Sequence, residues 1–100
     1  MDILVNEILE NGVHKWQGMA NERSFTLLCG NAEDALKAIP NESVHCIVTS
    51  PPYYSLRDYG VDGQIGLEDT VNEYVLSLCR VMDQLYRILR KDGLLFFEFR

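Results

Sequence analysis

Residues 49–54, T-S-P-P-Y-Y, set two prolines and two tyrosines directly behind an apolar run. Proline fixes its own φ, carries no amide hydrogen and drives the residue before it toward extended geometry. Ser50-Pro51-Pro52 is therefore a stiff segment that offers carbonyl oxygens and few donors. Such a rail suits an exocyclic amino group on a flat heterocycle, which has N–H bonds to give and a lone pair delocalised into its ring. Accepting those hydrogens favours a more nucleophilic nitrogen. Ser50 adds a hydroxyl that accepts or donates, and Tyr53 supplies a ring on which an extruded base can stack. The plain alternative is that the prolines stop a strand and the tyrosines cover its end. Taken alone the tetrapeptide favours that alternative, so the surrounding elements must decide.

The elements that would position this segment are read from periodicity and punctuation. Residues 2–11 place Ile3, Leu4, Ile8 and Leu9 on one helical stripe with Gly12 behind them as a cap, which predicts a short amphipathic helix. Residues 13–24 lack a period and read as a connector anchored by Trp16. FTLLC, residues 25–29, predicts a strand. After Gly30, the run NAEDALKAIP predicts a short helix, with Asn31 as N-cap, acidic residues in the first turn and Pro40 as its end. SVHCIVT, residues 43–49, is apolar on both faces apart from His45, the pattern of a strand buried in a parallel sheet. His45 is expected there as a hydrogen-bonded core histidine without chemistry.

Residues 53–68 carry Gly60, Asp62, Gly63 and Gly66 without a sustained period, and loops of this length inside compact domains are functional or disordered. Thr70 to Glu73 form a capping box. Apolar residues then recur at three- and four-residue spacing from Val71 to Leu89, predicting a helix through Arg90. Lys91, Asp92 and Gly93 close it, and LLFFEF, residues 94–99, predicts a third buried strand. The order strand, helix, strand, loop, helix, strand implies an α/β fold whose strands are parallel. In such sheets ligands lie beyond the carboxyl ends of the strands. Two loops open at that edge, Gly30 to Ala32 and Ser50 to Gly66.

Composition narrows the classes. The chain has 100 residues, 47% hydrophobic and 24% charged, which suffices for one domain with a core. No apolar run approaches the roughly 20 residues of a membrane span, and the N-terminus has neither the basic start nor the apolar centre of a secretory signal. A place inside the cell is expected. Cys29, Cys46 and Cys79 are widely spaced and are expected to be buried and reduced. Cysteines and histidines form no close pairs, so no metal is expected. A net charge of −6 is a poor footprint for gripping nucleic acid unaided, and any such role must borrow positive surface.

Three stretches together, LLCGNAEDALKAIPNESVHCIVTSPPYYSLRDYG, GQIGLEDTVNEYV and YRILRKDGLLFF, resemble the amino-methylating, site-specific DNA methyltransferases of restriction–modification type. That family uses S-adenosylmethionine to methylate cytosine N4 or adenine N6. The resemblance covers nearly all of residues 25–99, in the order of members whose catalytic motif precedes their cofactor motif. It implies a partial Rossmann-like methyltransferase fold with three parallel strands and crossover helices, behind the N-terminal helix. Residues 1–24 would be helix and connector, and residues 25–100 a partial catalytic domain.

Carried over by position, Ser50, Pro51, Pro52 and Tyr53 match the catalytic motif. There the first side chain and a proline carbonyl bind the target amine, and the aromatic ring stacks on the flipped base. Serine in first place favours cytosine N4, with adenine N6 as the alternative. Gly30-Asn31 matches a Gly-Asp pair facing the cofactor, making Asn31 and Ala32 cofactor-binding candidates, although asparagine replaces the aspartate and also serves as a helix cap. Tyr54 and Arg57 are DNA-binding candidates, and Arg57 is equally suited to an ion pair with Asp58. The family's F-x-G-x-G-like cofactor turn does not occur in these residues, nor does a target-recognition region. A further part of the protein or a complementing chain is expected to supply them, and this chain alone is expected to be inactive. The reading from another class is a non-catalytic α/β remnant or interaction domain that keeps the motif as scaffold.

Overall fold

The computed structural model describes residues 5–55, 58–60 and 62–98. The chain divides into two compact units, Met1–Ala38 and Ile39–Arg100.

The first unit is an antiparallel meander of β1 (Val5–Ile8), β2 (His14–Ala20) and β3 (Arg23–Cys29), followed by the short helix α1 (Ala32–Leu36). The helix expected over residues 2–11 is not formed in the described residues. Val5 to Ile8 instead pair with Gln17 to His14, and a single 3-10 turn, Glu10–Gly12, reverses the chain through left-handed Asn11 (φ 62) and Gly12 (φ 73). An isolated helix of that length is marginal in water, and strand pairing offers the same apolar residues a ladder.

The connector expected over residues 13–24 is β2 and its turn. Trp16 stacks on His14 with ring centroids 5.6 Å apart. Asn21 and Glu22 both adopt positive φ (50° and 64°) between Ala20 and Arg23, the two-residue geometry that matches the twist of a hairpin. This hairpin makes β3 antiparallel to β2, so FTLLC is a strand as expected but not part of a parallel set. Val13, 1% exposed, is the buried centre of this unit. It packs against Gly30, where an added Cβ would meet Val13 Cγ2 at 3.0 Å.

The second unit holds β4 (Val44–Thr49), α2 (Val71–Ile88) and β5 (Leu89–Phe97). β4 and β5 pair in parallel, which requires a crossover, and α2 supplies it. The Thr70 hydroxyl accepts from Glu73 N at 3.2 Å, as the capping box predicts. Tyr74, Leu85 and Ile88 are buried along the apolar stripe of α2. The helix ends at Ile88, and the chain is already extended at Leu89. Regular pairing then resumes from Cys46 opposite Leu94 after a register irregularity.

The described residues thus contain one parallel pair rather than three parallel strands. β4 is not buried on both faces. Val44, Ile47 and Thr49 are half-buried, while His45, Cys46 and Val48 are exposed. Leu94 and Phe96, which pair with Cys46 and Val48, are exposed as well. Neither His45 nor the cysteines sit in a core, since Cys29, Cys46 and Cys79 are all exposed and free. For Cys46 the physical reason is that it shares with Val48 a face of the parallel pair that no second layer covers among the described residues of this unit, whereas Cys29 lies on β3 and Cys79 on α2. Among the described residues no helix is long and apolar enough to cross a membrane.

Candidate functional site

β4 runs as far as Thr49, whose carbonyl accepts from Glu98 N at 3.0 Å. The two prolines that follow have no amide to continue the ladder. Ser50 is exposed, and Pro51, Pro52, Tyr53 and Tyr54 are half-buried. At this carboxyl end of β4 and β5 lies an open groove of about 420 Å³ lined by Val48, Thr49, Ser50, Phe96, Phe97 and Glu98. Among the described residues the Ser50 hydroxyl and the Pro51 carbonyl make no hydrogen bond. The Pro52 carbonyl is engaged, accepting from the Tyr74 hydroxyl at 2.7 Å. The acceptor rail is thereby divided: one carbonyl anchors the segment, and the two groups before it stay open to a ligand.

The loop behind the motif is fastened to the start of α2. Ser55 N donates to the Gly66 carbonyl at 2.7 Å. Gly66 has φ +112, and a Cβ there would come within 3.0 Å of the Tyr53 carbonyl, so only glycine lets the two backbones approach this closely. Gly66 N donates to Glu68 Oε1 at 2.7 Å. Tyr54 turns inward, its hydroxyl donating to the Glu68 carbonyl at 3.0 Å and its ring 5.3 Å from that of Tyr74. Farther out, Asp58 Oδ1 accepts from Gly60 N at 2.7 Å and Gln64 Oε1 from Tyr59 N at 2.8 Å. Arg57 lies outside the described residues.

The electrostatics follow from this packing. Burial alone would raise the Glu68 carboxyl, but hydrogen bonds from Ser77 and from the Glu68 and Gly66 amides, together with the Arg80 charge, hold it below the ordinary range. Burial, then the Glu68 charge and Tyr53, push the Tyr74 phenol above its ordinary value. It therefore remains a protonated donor through neutral pH. Ser77, buried on α2, accepts from Arg80 at 3.1 Å and lies 3.1 Å from the Glu73 carbonyl.

Sequence patterning places Tyr74 only on an apolar stripe and gives no sign of Glu68. The available signal is that a buried tyrosine hydroxyl requires a partner. Asn31, in the other unit, accepts from Glu33 N at 3.0 Å through Oδ1 and so caps α1. Ala32, beside it, is the first residue of that helix and is exposed.

A family model described as DNA methylase matches residues 44–100, the stretch that contains the motif, its loop, α2 and β5. The chain belongs to this family. Similar curated methylases include Type II methyltransferase M.SfiI of Streptomyces fimbriatus, 46% identical over 69% of this chain and 16% of that protein. Type II methyltransferase M.SmaI of Serratia marcescens is 43% identical over 76% of this chain and 26% of its own length. Type II methyltransferase M.Cfr9I of Citrobacter freundii is 47% identical over 70% of this chain and 23% of its own length. This methylase chain therefore spans between 16% and 26% of the length of these three relatives. No solved structure matches it significantly.

The methyl donor of such methylases is S-adenosylmethionine, whose reactive centre is a cationic sulfonium. The groove at the end of β4 and β5 is compatible with that charge, for its lining includes the oxygen-bearing residues Thr49, Ser50 and Glu98 beside Phe97. Among the described residues no group of three or more His, Cys, Asp or Glu residues is placed to hold a metal ion.

Proposed function

We propose that this chain is the base-holding part of a site-specific DNA methyltransferase that modifies the exocyclic amine of a flipped base, with cytosine N4 as the target. The observation that carries the reading is that the Ser50 hydroxyl, at the groove, and the Pro51 carbonyl next to it in the chain make no hydrogen bond among the described residues, beside a Pro52 carbonyl that is already engaged. Ser50 and Pro51 accept the two amine hydrogens and hold the nitrogen lone pair toward the groove. Tyr53 stacks on the extruded ring, and half-burial of the prolines excludes water from one side of it. Positioning of this kind converts an encounter into an aligned reaction and supplies much of a transfer enzyme's rate.

S-adenosylmethionine, when bound, supplies an activated methyl group. Thr49 and Glu98, at the groove, would face its cationic sulfonium; Asn31 and Ala32 are cofactor-binding candidates by the family resemblance alone. Residues 25–100 form the catalytic part, completed by a segment or partner carrying the glycine turn and the target-recognition surface. The work is cytoplasmic, on double-stranded DNA.

Serine at position 50 is the reason for preferring cytosine, because the family's adenine enzymes more often carry aspartate there. The test is methylation by the complete protein of duplexes bearing target cytosine or target adenine, read by mass spectrometry of the nucleosides. N4-methylcytosine is the expected product. N6-methyladenine alone removes the cytosine assignment, and no methylated base in any duplex removes the enzyme reading in favour of a scaffold remnant.

A further inference from the structure

Resting on the reading above, we infer that Tyr74 is a positioning residue for methyl transfer and that Gly66 works with it, the pair aiming Ser50 and Pro51 at the target amine from outside the motif. The motif is held on both sides of its two open groups. On one side the Thr49 carbonyl accepts from Glu98 N at 3.0 Å, and on the other the Pro52 carbonyl accepts from Tyr74 Oη at 2.7 Å. Both prolines have φ fixed by their rings, so the direction of the Pro51 carbonyl depends on ψ angles alone. Anchoring the next carbonyl removes much of that remaining freedom.

The anchor is itself rigid. Tyr74 is 9% exposed, lies in the first turns of α2, and follows a threonine-capped start. Gly66, at φ +112, approaches the Tyr53 carbonyl so closely that an added Cβ would lie 3.0 Å from it. Gly66 is held in turn by Glu68 Oε1 and by Ser55 N. A buried tyrosine hydroxyl would be satisfied by any carbonyl. Its partner here is the residue between the open acceptors and the stacking ring, which links α2 to the orientation of the base.

The experiment uses the complete protein as wild type, Tyr74→Phe and Gly66→Ala. It measures kcat and KM for DNA with labelled S-adenosylmethionine, and the thermal midpoint of each protein. Tyr74→Phe keeps the ring and loses the anchor. It is expected to lower kcat by about tenfold or more, since small misplacements of reacting groups have effects of this size, while KM for DNA and the thermal midpoint stay close to wild type. Gly66→Ala is expected to lower kcat in the same way, and it decides the matter if Tyr74→Phe does not fold.

An unchanged kcat in the folded variant overturns the inference and leaves the proposed function standing. Failure of both variants to fold, or a fall in kcat that only tracks the lost folded fraction, assigns the residues to stability and also overturns it. A wild-type protein that methylates no base instead refutes the proposed function.

Discussion

Ser50 is the residue at which chemistry and stability separate most cleanly. Its hydroxyl is exposed and makes no hydrogen bond among the described residues, so removing it leaves no buried group unsatisfied. Ser50→Ala in the complete protein is expected to lower kcat by about 100- to 1000-fold, the range typical of losing an aligned hydrogen bond to a reacting group, with an unchanged thermal midpoint. Labelled methyl incorporation and differential scanning calorimetry check the two halves of that statement.

Glu68 behaves in the opposite manner. Its folded-state pKa lies below the ordinary 4.5, so the ionised carboxylate contributes stability that is present above pH 4.5 and is lost as pH falls through the folded value. Glu68→Gln is therefore expected to be less stable than wild type at neutral pH and to lose that difference in acid. Urea midpoints at pH 7 and near pH 3 test this, and a difference that persists in acid contradicts the sign.

At the scale of elements, α2 carries the second unit. Ile88, 2% exposed, is its best-buried side chain and sits where the helix passes into β5. Ile88→Ala removes buried carbon at a junction that cannot readily collapse, and is expected to destabilise by about 2–5 kcal/mol, measured by chemical denaturation. α2 was legible nearly to its ends, because a capping threonine and a three-to-four apolar spacing act within one or two turns. β3, the short α1 with its Asn31 cap, β4 and the Leu94–Phe97 part of β5 were legible from the same kind of local signal, whereas Leu89 to Gly93, expected as helix end and turn, are already strand.

The first two strands were not. Val5 to Ile8 suit a helical stripe as well as a ladder, and only the partner strand from His14 to Gln17 selects between them. The hairpin at Asn21 and Glu22 lacks the glycine that usually announces such a turn. Its detection would have required noticing Trp16 opposite Leu27 and Gly18 opposite Phe25.

The whole molecule is set by charge and by uncovered surface. A net charge of −6 opposes a phosphate backbone. The 100-residue chain on its own is therefore expected to show no retention of duplex DNA at physiological salt in a mobility-shift assay, whereas the complete methylase retains it. Binding by the chain alone would mean that positive surface is not borrowed after all. The outer face of the parallel pair is the other uncovered surface. Val48 is 79% exposed, with Phe96 and Leu94 at 57% and 61%, in a family whose curated relatives here are several times longer. Two strands with one helix are a small basis for a core, and the open apolar face leaves Cys46 exposed beside Val48.

By itself the amino-acid order determined what nearby residues can decide. It set the end of β4 at two prolines that lack amides, the caps of both helices, the long glycine-punctuated loop, the family resemblance and the acidic charge. Tertiary structure alone decided the antiparallel meander, the open face of β4, and the division of the proline rail into one anchored carbonyl and two open acceptors. The reason is distance along the chain. A cap or a ring-fixed φ acts within a few residues, whereas the Tyr74 hydroxyl reaches the Pro52 carbonyl across 22 positions, a meeting that only the packed fold can arrange.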